Sequence, residues 1–224
     1  MITPFAIIFA FHERFHEILQ GTGYTVECKQ RITGLILAGG RATRMGGQDK
    51  GLVEINRQPM IAYVIHALRP QVSEILINAN RNHGEYRKFG HPLVTDELAG
   101  FQGPLAGMAA ALNQVSTDYL FTCPCDGPLL PADVVARLYQ ALSEQDAEIC
   151  VAHDGDRLQP VCALIDCRLR DSLFAYLGGE DRKIEHWYRN HRLTEADFSD
   201  KKHCFQNANR PQDLDALSRY LKGC

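Results

Sequence analysis

Leu35-Ile36-Leu37-Ala38-Gly39-Gly40-Arg41-Ala42-Thr43-Arg44-Met45-Gly46-Gly47-Gln48-Asp49-Lys50-Gly51 is the stretch that decides the fold. An apolar run passes directly into a glycine-rich, basic loop. Glycines let anionic oxygens approach bare backbone N–H groups, so a strand followed by such a loop reads as a cradle for a nucleoside triphosphate. Arg44 and Lys50 add positive charge at its far end. The dinucleotide fingerprint G-x-G-x-x-G is absent, and Lys50 is followed by Gly51 where a Walker loop needs Ser or Thr. The loop is therefore of a third kind.

Working outward, strands and helices alternate. Ile32 to Leu37 reads as a buried strand. Pro59 to Leu68 reads as a helix, with Pro59 in its first turn and Ile61, Val64, Ile65 and Leu68 on one stripe. Glu74 to Ala79 and Leu93 to Thr95 read as strands, Gly103-Pro104 opens a helix to Leu112, and Tyr119 to Cys123 is the next strand. A helix runs from Pro131 to Leu142. This alternation predicts a Rossmann-like α/β three-layer sandwich around a mostly parallel sheet. Ligands of such sheets sit at the carboxyl ends of the strands. The glycine loop, Asn78 and Asn80, Asp96 and Asp126 each follow a strand, so they are expected at one rim.

After Ala147 the pattern changes. Ile149 to Ala152 and Pro160 to Ile165 flank a hairpin turn at Asp154-Gly155-Asp156. Helices are expected from Cys167 to Leu177, from Lys183 to His191 and from Pro211 to Leu221. Residues 31–224 are read as one domain, with a nucleotide-binding half over 31–147 and an acceptor-binding half over 148–224. Residues 1–30 form an extension, expected to be a disordered tail or a segment read in from an upstream start. Its apolar opening is too short to span a membrane, and no Lys or Arg precedes it as in a secretory signal.

The chain has 224 residues and a net charge of −3, so bulk charge gives no sign of nucleic-acid binding. No membrane partner is expected either. Eight cysteines lack paired C-x-x-C spacing, which argues against structural zinc and for buried, reduced thiols in a cytoplasmic protein.

Lys50 is the candidate for neutralising triphosphate charge during transfer. Arg44 either pairs with departing pyrophosphate or braces the loop. Asp126, in Pro124-Cys125-Asp126-Gly127-Pro128, is a carboxylate suited to Mg²⁺, which prefers oxygen ligands and keeps several waters. Asp96 could share the metal or orient base or ribose. Asn78 and Asn80 could read a base edge or ribose hydroxyl, or simply shape a turn.

Taken together, Leu37 to Gly51, Asn78-Ala79-Asn80-Arg81, Gly103-Pro104-Leu105-Ala106-Gly107-Met108 and Cys123-Pro124-Cys125-Asp126 resemble the molybdenum cofactor guanylyltransferases, the MobA family. The resemblance covers about residues 31 to 221. It implies transfer of GMP from GTP to molybdopterin with release of pyrophosphate and use of Mg²⁺. By matching position it implies GTP binding by Leu37, Ala38, Gly39, Gly40, Lys50, Asn78, Asp96 and Asp126, and metal ligation by Asp126. Asn207 and Asn209 match an N-x-N element associated with the pterin acceptor. Transient contact with molybdoenzymes or their chaperones is also implied. Two departures appear: Gly127 where the family usually has Thr, and Arg210 where Thr is commoner before Pro211. The alternatives are a cytidylyltransferase on the same pterin, whose loop usually reads L-A-A-G in place of Ala38-Gly39-Gly40, and a non-catalytic carrier of the cofactor.

Overall fold

The computed structural model describes residues 24–39, 49–96, 103–208 and 211–223. Seven of its strands form one sheet: β1 (Ile32–Leu37), β4 (Glu74–Asn78), β5 (Leu93–Val94), β6 (Tyr119–Pro124), β7 (Ile149–His153), β8 (Leu158–Asp166) and β9 (Leu193–Asp197). Their spatial order is β5-β4-β1-β6-β8-β7-β9. Every neighbouring pair is parallel except the two that β8 makes, with β6 and with β7. The mostly parallel sheet expected from the sequence is thus present. The antiparallel strand comes from the Asp154-Gly155 hairpin: Asp154 Oδ1 accepts from the backbone N–H groups of Asp156 and Arg157, both at 2.9 Å.

Burial on both faces explains why the strands are almost continuously apolar. Successive side chains of a strand point to opposite faces. Ile36, Ile77, Phe121 and Cys150 face one layer, with Ile61, Val64 and Leu68 of helix α2 (Met60–Leu68) and Val135 and Leu138 of helix α5 (Val134–Glu144). Leu35, Leu76, Leu120 and Ile149 face the other. There they meet Leu105 and Met108 of helix α4 (Pro104–Leu112), Leu173 of α6 (Arg170–Leu177), and Trp187 and Tyr188 of α7 (Ile184–Tyr188). A third, smaller cluster joins Val53, Ile55 and Met60 to Ala208 and to Leu217 of the terminal helix α8 (Pro211–Gly223).

Local differences from the sequence reading have simple causes. Pro59 lies just before α2 in extended conformation. There it pairs with Glu54 across a small hairpin of β2 (Glu54–Ile55) and β3 (Gln58–Pro59), whose turn residues Asn56 and Arg57 both have positive φ. No glycine marks that turn, so the sequence hides it. Strand β9 was also unread, because Ala196 is its single buried side chain. Helix α3 (His83–Arg87) is one short turn and a half.

The described part of the amino-terminal segment packs on the body. Tyr24 is 4% exposed, and helix α1 (Val26–Gln30) follows it. The Tyr24 hydroxyl donates to the Gln71 carbonyl at 2.5 Å, and its ring meets Tyr139 edge-on at 5.8 Å. Gln71 itself is a fully engaged buried amide. Its Nε2 donates to the carbonyls of Ala67 and Pro131, and its Oε1 accepts from Val135 N. Tyr24 thus seals the junction between α2 and α5. Tyr24→Ala is expected to cost about 3 kcal/mol of unfolding free energy, the usual loss for truncating a buried aromatic. Urea denaturation measures this, and a change under about 0.5 kcal/mol would place Tyr24 outside the cooperative unit.

Candidate active site

The register of β1 between its two neighbours brings the site together. Leu37 stands level with Asn78 of β4 on one side and Pro124 of β6 on the other. The chain reverses strand order here, running to β4 and β5 in one direction and to β6 in the other, which is where α/β sheets open a crevice. Ala38 N donates to the Asn78 carbonyl at 2.8 Å, and Cys125 N donates to the Leu37 carbonyl at 3.2 Å. The three strand ends are therefore laced together immediately before the segments that carry the polar residues.

On the β6 side, Lys50 Nζ lies 2.9 Å from Asp126 Oδ2. Their side chains are 25% and 10% exposed, so the pair is shielded yet reachable. The residues are 76 apart in sequence, and the pair brings the residue that ends the glycine-rich segment onto the strand-end carboxylate. Asp126 also touches the chain near its end: its carbonyl accepts from Ala208 N at 3.1 Å. A Cβ placed on Gly127 would lie 3.3 Å from Asn207 Oδ1. Asn207 is therefore beside the metal-binding candidate, and a cleft of about 590 Å³ opens from it between Arg157, Lys202, Gln206 and Asp213.

On the β5 side, Asp96 is gripped by two asparagines, Asn78 at the end of β4 and Asn80 just after it. Asn78 Nδ2 donates to Asp96 Oδ1 at 2.9 Å, and Asn80 Nδ2 donates to Asp96 Oδ2 at 2.8 Å. Two glycines make room for this arrangement. A Cβ at Gly107 would fall 2.4 Å from Asn78 Oδ1 and 2.7 Å from Leu37 Cδ2, and one at Gly39 would fall 3.0 Å from Asn80 Nδ2. Gly107 lies inside α4, where glycine is otherwise unfavourable, so its presence there answers to this contact.

Leu37, Ala38, Gly39, Lys50, Asn78, Asp96, Asp126 and Asn207 thus all lie at or beside the carboxyl rim. Gly40, Arg44 and Asn209 lie outside the described residues. Cys123 and Cys125 are free, buried thiols. Burial, reinforced by the charges of Asp126 and Asp49, pushes Cys125 well above the ordinary thiol range. No thiolate nucleophile is available there.

The sequence reading passed over Asp49. Its side chain is 2% exposed, and it accepts from Arg81 Nε at 2.6 Å and from Asn82 Nδ2 at 2.8 Å. This pair, a buried carboxylate with a guanidinium that is 39% exposed, fastens the residue before Lys50 to the loop after β4. The only signal was an acid next to the loop lysine, which by itself is uninformative.

Similarity to known proteins accords with this geometry. A family model described as the MobA-like NTP transferase domain matches residues 34–196. Proteins named molybdenum cofactor guanylyltransferase from Shewanella loihica and Shewanella sediminis are 51% and 50% identical over 191 residues, 85% of this chain and 97% of each relative. Among solved structures, the molybdopterin-guanine dinucleotide biosynthesis protein A of Archaeoglobus fulgidus superposes with a TM-score of 0.72 at 19% identity. That match covers 86% of this chain and all of that one. The 4-diphosphocytidyl-2C-methyl-D-erythritol synthase of Anaerococcus prevotii gives 0.67 at 11% identity, covering 87% of this chain and 97% of that one. At such identities these two likenesses show the shared fold.

Arg81→Ala would leave the buried Asp49 carboxylate with the Asn82 amide as its side-chain donor. The expected loss is about 2 kcal/mol, the cost of removing a hydrogen-bonded charge from a buried carboxylate, reduced because Arg81 is partly screened by solvent. Asp49→Asn combined with Arg81→Ala should lose less, since no uncompensated charge remains. Urea unfolding of both variants checks this, and a double variant weaker than the single would refute the anchoring role.

Proposed function

Because the chain belongs to the MobA-like NTP transferase family, we propose that it is a molybdenum cofactor guanylyltransferase, moving GMP from GTP onto the terminal phosphate of molybdopterin. The observation that carries this reading is the Lys50–Asp126 pair at the carboxyl rim, in a chain half-identical to relatives bearing that name.

The layout suggests how the substrates lie. Asp96 and Asp126 close β5 and β6, which are three strand spacings, about 14 Å, apart. An extended nucleoside triphosphate bridges such a gap, with its base towards Asp96 and its phosphates over β1 towards Lys50. The acceptor then comes from the Asn207 side, where the cleft opens beside Gly127.

The residues fit a magnesium ion. Magnesium binds through one or two carboxylates and takes its remaining ligands from water and substrate phosphates, and Asp126 supplies such a carboxylate. When bound, the ion would neutralise phosphate charge and polarise the phosphorus. The reaction itself is a displacement. An oxygen of the acceptor phosphate bonds to the α-phosphorus of GTP, the bond to the bridging oxygen breaks, and pyrophosphate leaves with that electron pair. A phosphate monoester is largely ionised at neutral pH, so no protein base is needed to activate it. The protein contributes alignment, and Lys50 contributes a positive charge that stabilises the growing negative charge.

Lys50→Ala and Asp126→Asn should each lower kcat/KM for GTP by about 100-fold or more without unfolding the chain. Pyrophosphate release from GTP, magnesium and the molybdenum cofactor is the assay. Wild-type rates in either variant would remove that residue from the mechanism. A wild-type enzyme that turns over CTP in preference to GTP would overturn the guanylyl assignment.

A further inference from the structure

We propose that Asn80 is a positioning residue that aims the Asp96 carboxylate at the Watson–Crick edge of guanine and thereby sets the base preference of the site. The inference rests on the nucleotidyltransferase reading above and goes beyond it, to which group enforces the choice of base.

Asn80 makes a closed ring with Asp96. Its Nδ2 donates to Asp96 Oδ2 at 2.8 Å, and its Oδ1 accepts from Asp96 N at 2.9 Å. Asn78 Nδ2 donates to the other carboxylate oxygen at 2.9 Å and also lies 3.3 Å from the Val94 carbonyl. Each oxygen of the carboxylate thus accepts one amide proton from the β4 end. A carboxylate oxygen has two acceptor positions, so each oxygen keeps one for a ligand.

That leftover pair matches one base. Guanine places two adjacent donors, N1–H and the 2-amino group, on its Watson–Crick edge, the kind of fork that a carboxylate accepts bidentately from arginine. Cytosine and adenine set a ring acceptor beside their amino group, so one carboxylate oxygen would face a lone pair. Uracil has one N–H between two carbonyls. The selection depends on the plane in which the carboxylate is held, because the χ2 torsion of aspartate is broad when unconstrained.

Asn78 and Asn80 contribute differently. Asn78 is buried under Gly107 and belongs to the strand. Asn80 is exposed, and the two side-chain bonds recorded for it both go to Asp96. Its truncation should therefore free the carboxylate plane without opening the core.

The test compares magnesium GTP with magnesium ITP, which lacks only the 2-amino group. Calorimetric titration is done on the full chain with no acceptor present, so it does not depend on turnover. The wild type should bind GTP about tenfold or more tightly than ITP, the worth of one hydrogen bond to a charged group. In Asn80→Ala that preference should shrink to about threefold or less, with the loss falling on GTP and ITP affinity nearly unchanged. Asn80→Asp, which sets a like charge against Asp96, should show the same collapse. An unchanged GTP/ITP ratio in Asn80→Ala, or equal losses for both nucleotides, would overturn the role of Asn80. A wild type that binds CTP better than either purine would overturn the functional reading itself, and the proposal with it.

Discussion

Leu37 stands between Asn78 and Pro124 in the sheet register, and the rest of the site depends on that alignment. A one-residue slip of β1 against either neighbour would turn its side chains to the opposite face. Such slips are opposed by the packing on both sides, since Leu35 and Ile36 are fully buried in opposite layers. The alignment is repeated by bonds beyond the strand ends, from Ala38 to Asn78 and from Cys125 to Leu37. A well-packed core thus sets the level at which the polar groups emerge, and the polar groups need not hold themselves in place.

The electrostatics at the rim follow from that scaffold. Lys50 and Asp126 meet at 2.9 Å with their side chains mostly shielded from water. Fully burying the pair would carry a desolvation cost that its attraction need not repay. Leaving each group partly exposed keeps that cost down and keeps the charges accessible. Under the proposed function, a triphosphate would bring negative charge to the lysine and a divalent cation positive charge to the aspartate, so each could exchange one partner for another without leaving a charge bare. The Asp49–Arg81 pair differs in kind. Its carboxylate is almost wholly enclosed, and its place directly before Lys50 makes it a fixed post for the loop.

Much of this was legible in the sequence because it is local or periodic. The apolar strands, the helical stripes and the placement of Lys50, Asn78, Asp96 and Asp126 after strands all follow from patterns a few residues long. The parallel-sheet rule then gathers them at one rim. What stayed hidden was mostly non-local or weakly patterned. Strand β9 has one buried side chain, so no alternation marks it. The β2–β3 turn uses Asn56 and Arg57 where a glycine would have signalled it. The meaning of Gly107 lies in a contact with Asn78, and the role of Asp49 in one with Arg81. Neither neighbour can be inferred from spacing. Tyr24 was missed because the segment before residue 30 has no pattern tying it to Gln71.

The segment that carries Asn207 is held by a different means. The sheet runs without a break across residue 147, since β8 inserts between β6 and β7. The segment that brings Asn207 to Asp126 instead leaves the sheet after β9 and must be pinned. Arg137 of α5 donates to both carboxylate oxygens of Asp200, each at 2.8 Å, and its guanidinium lies 5.1 Å from the centre of the Phe198 ring. Asp133 accepts from Arg137 Nε at 2.9 Å and from Lys201 Nζ at 2.6 Å. Hydrogen bonding to Arg137 lowers the Asp200 carboxyl below its usual range, so Asp200 stays charged near neutral pH. At the far end Ala208 is buried in the third apolar cluster, and its amide donates to the Asp126 carbonyl. Asn207 is therefore clamped between a charged lattice and an apolar plug. Because α5 also packs against β7, β8 and β9, the helix that anchors this strap is itself seated on the antiparallel end of the sheet. The strap and the sheet are thereby registered to each other, and Asn207 keeps a fixed place beside Gly127 and Asp126.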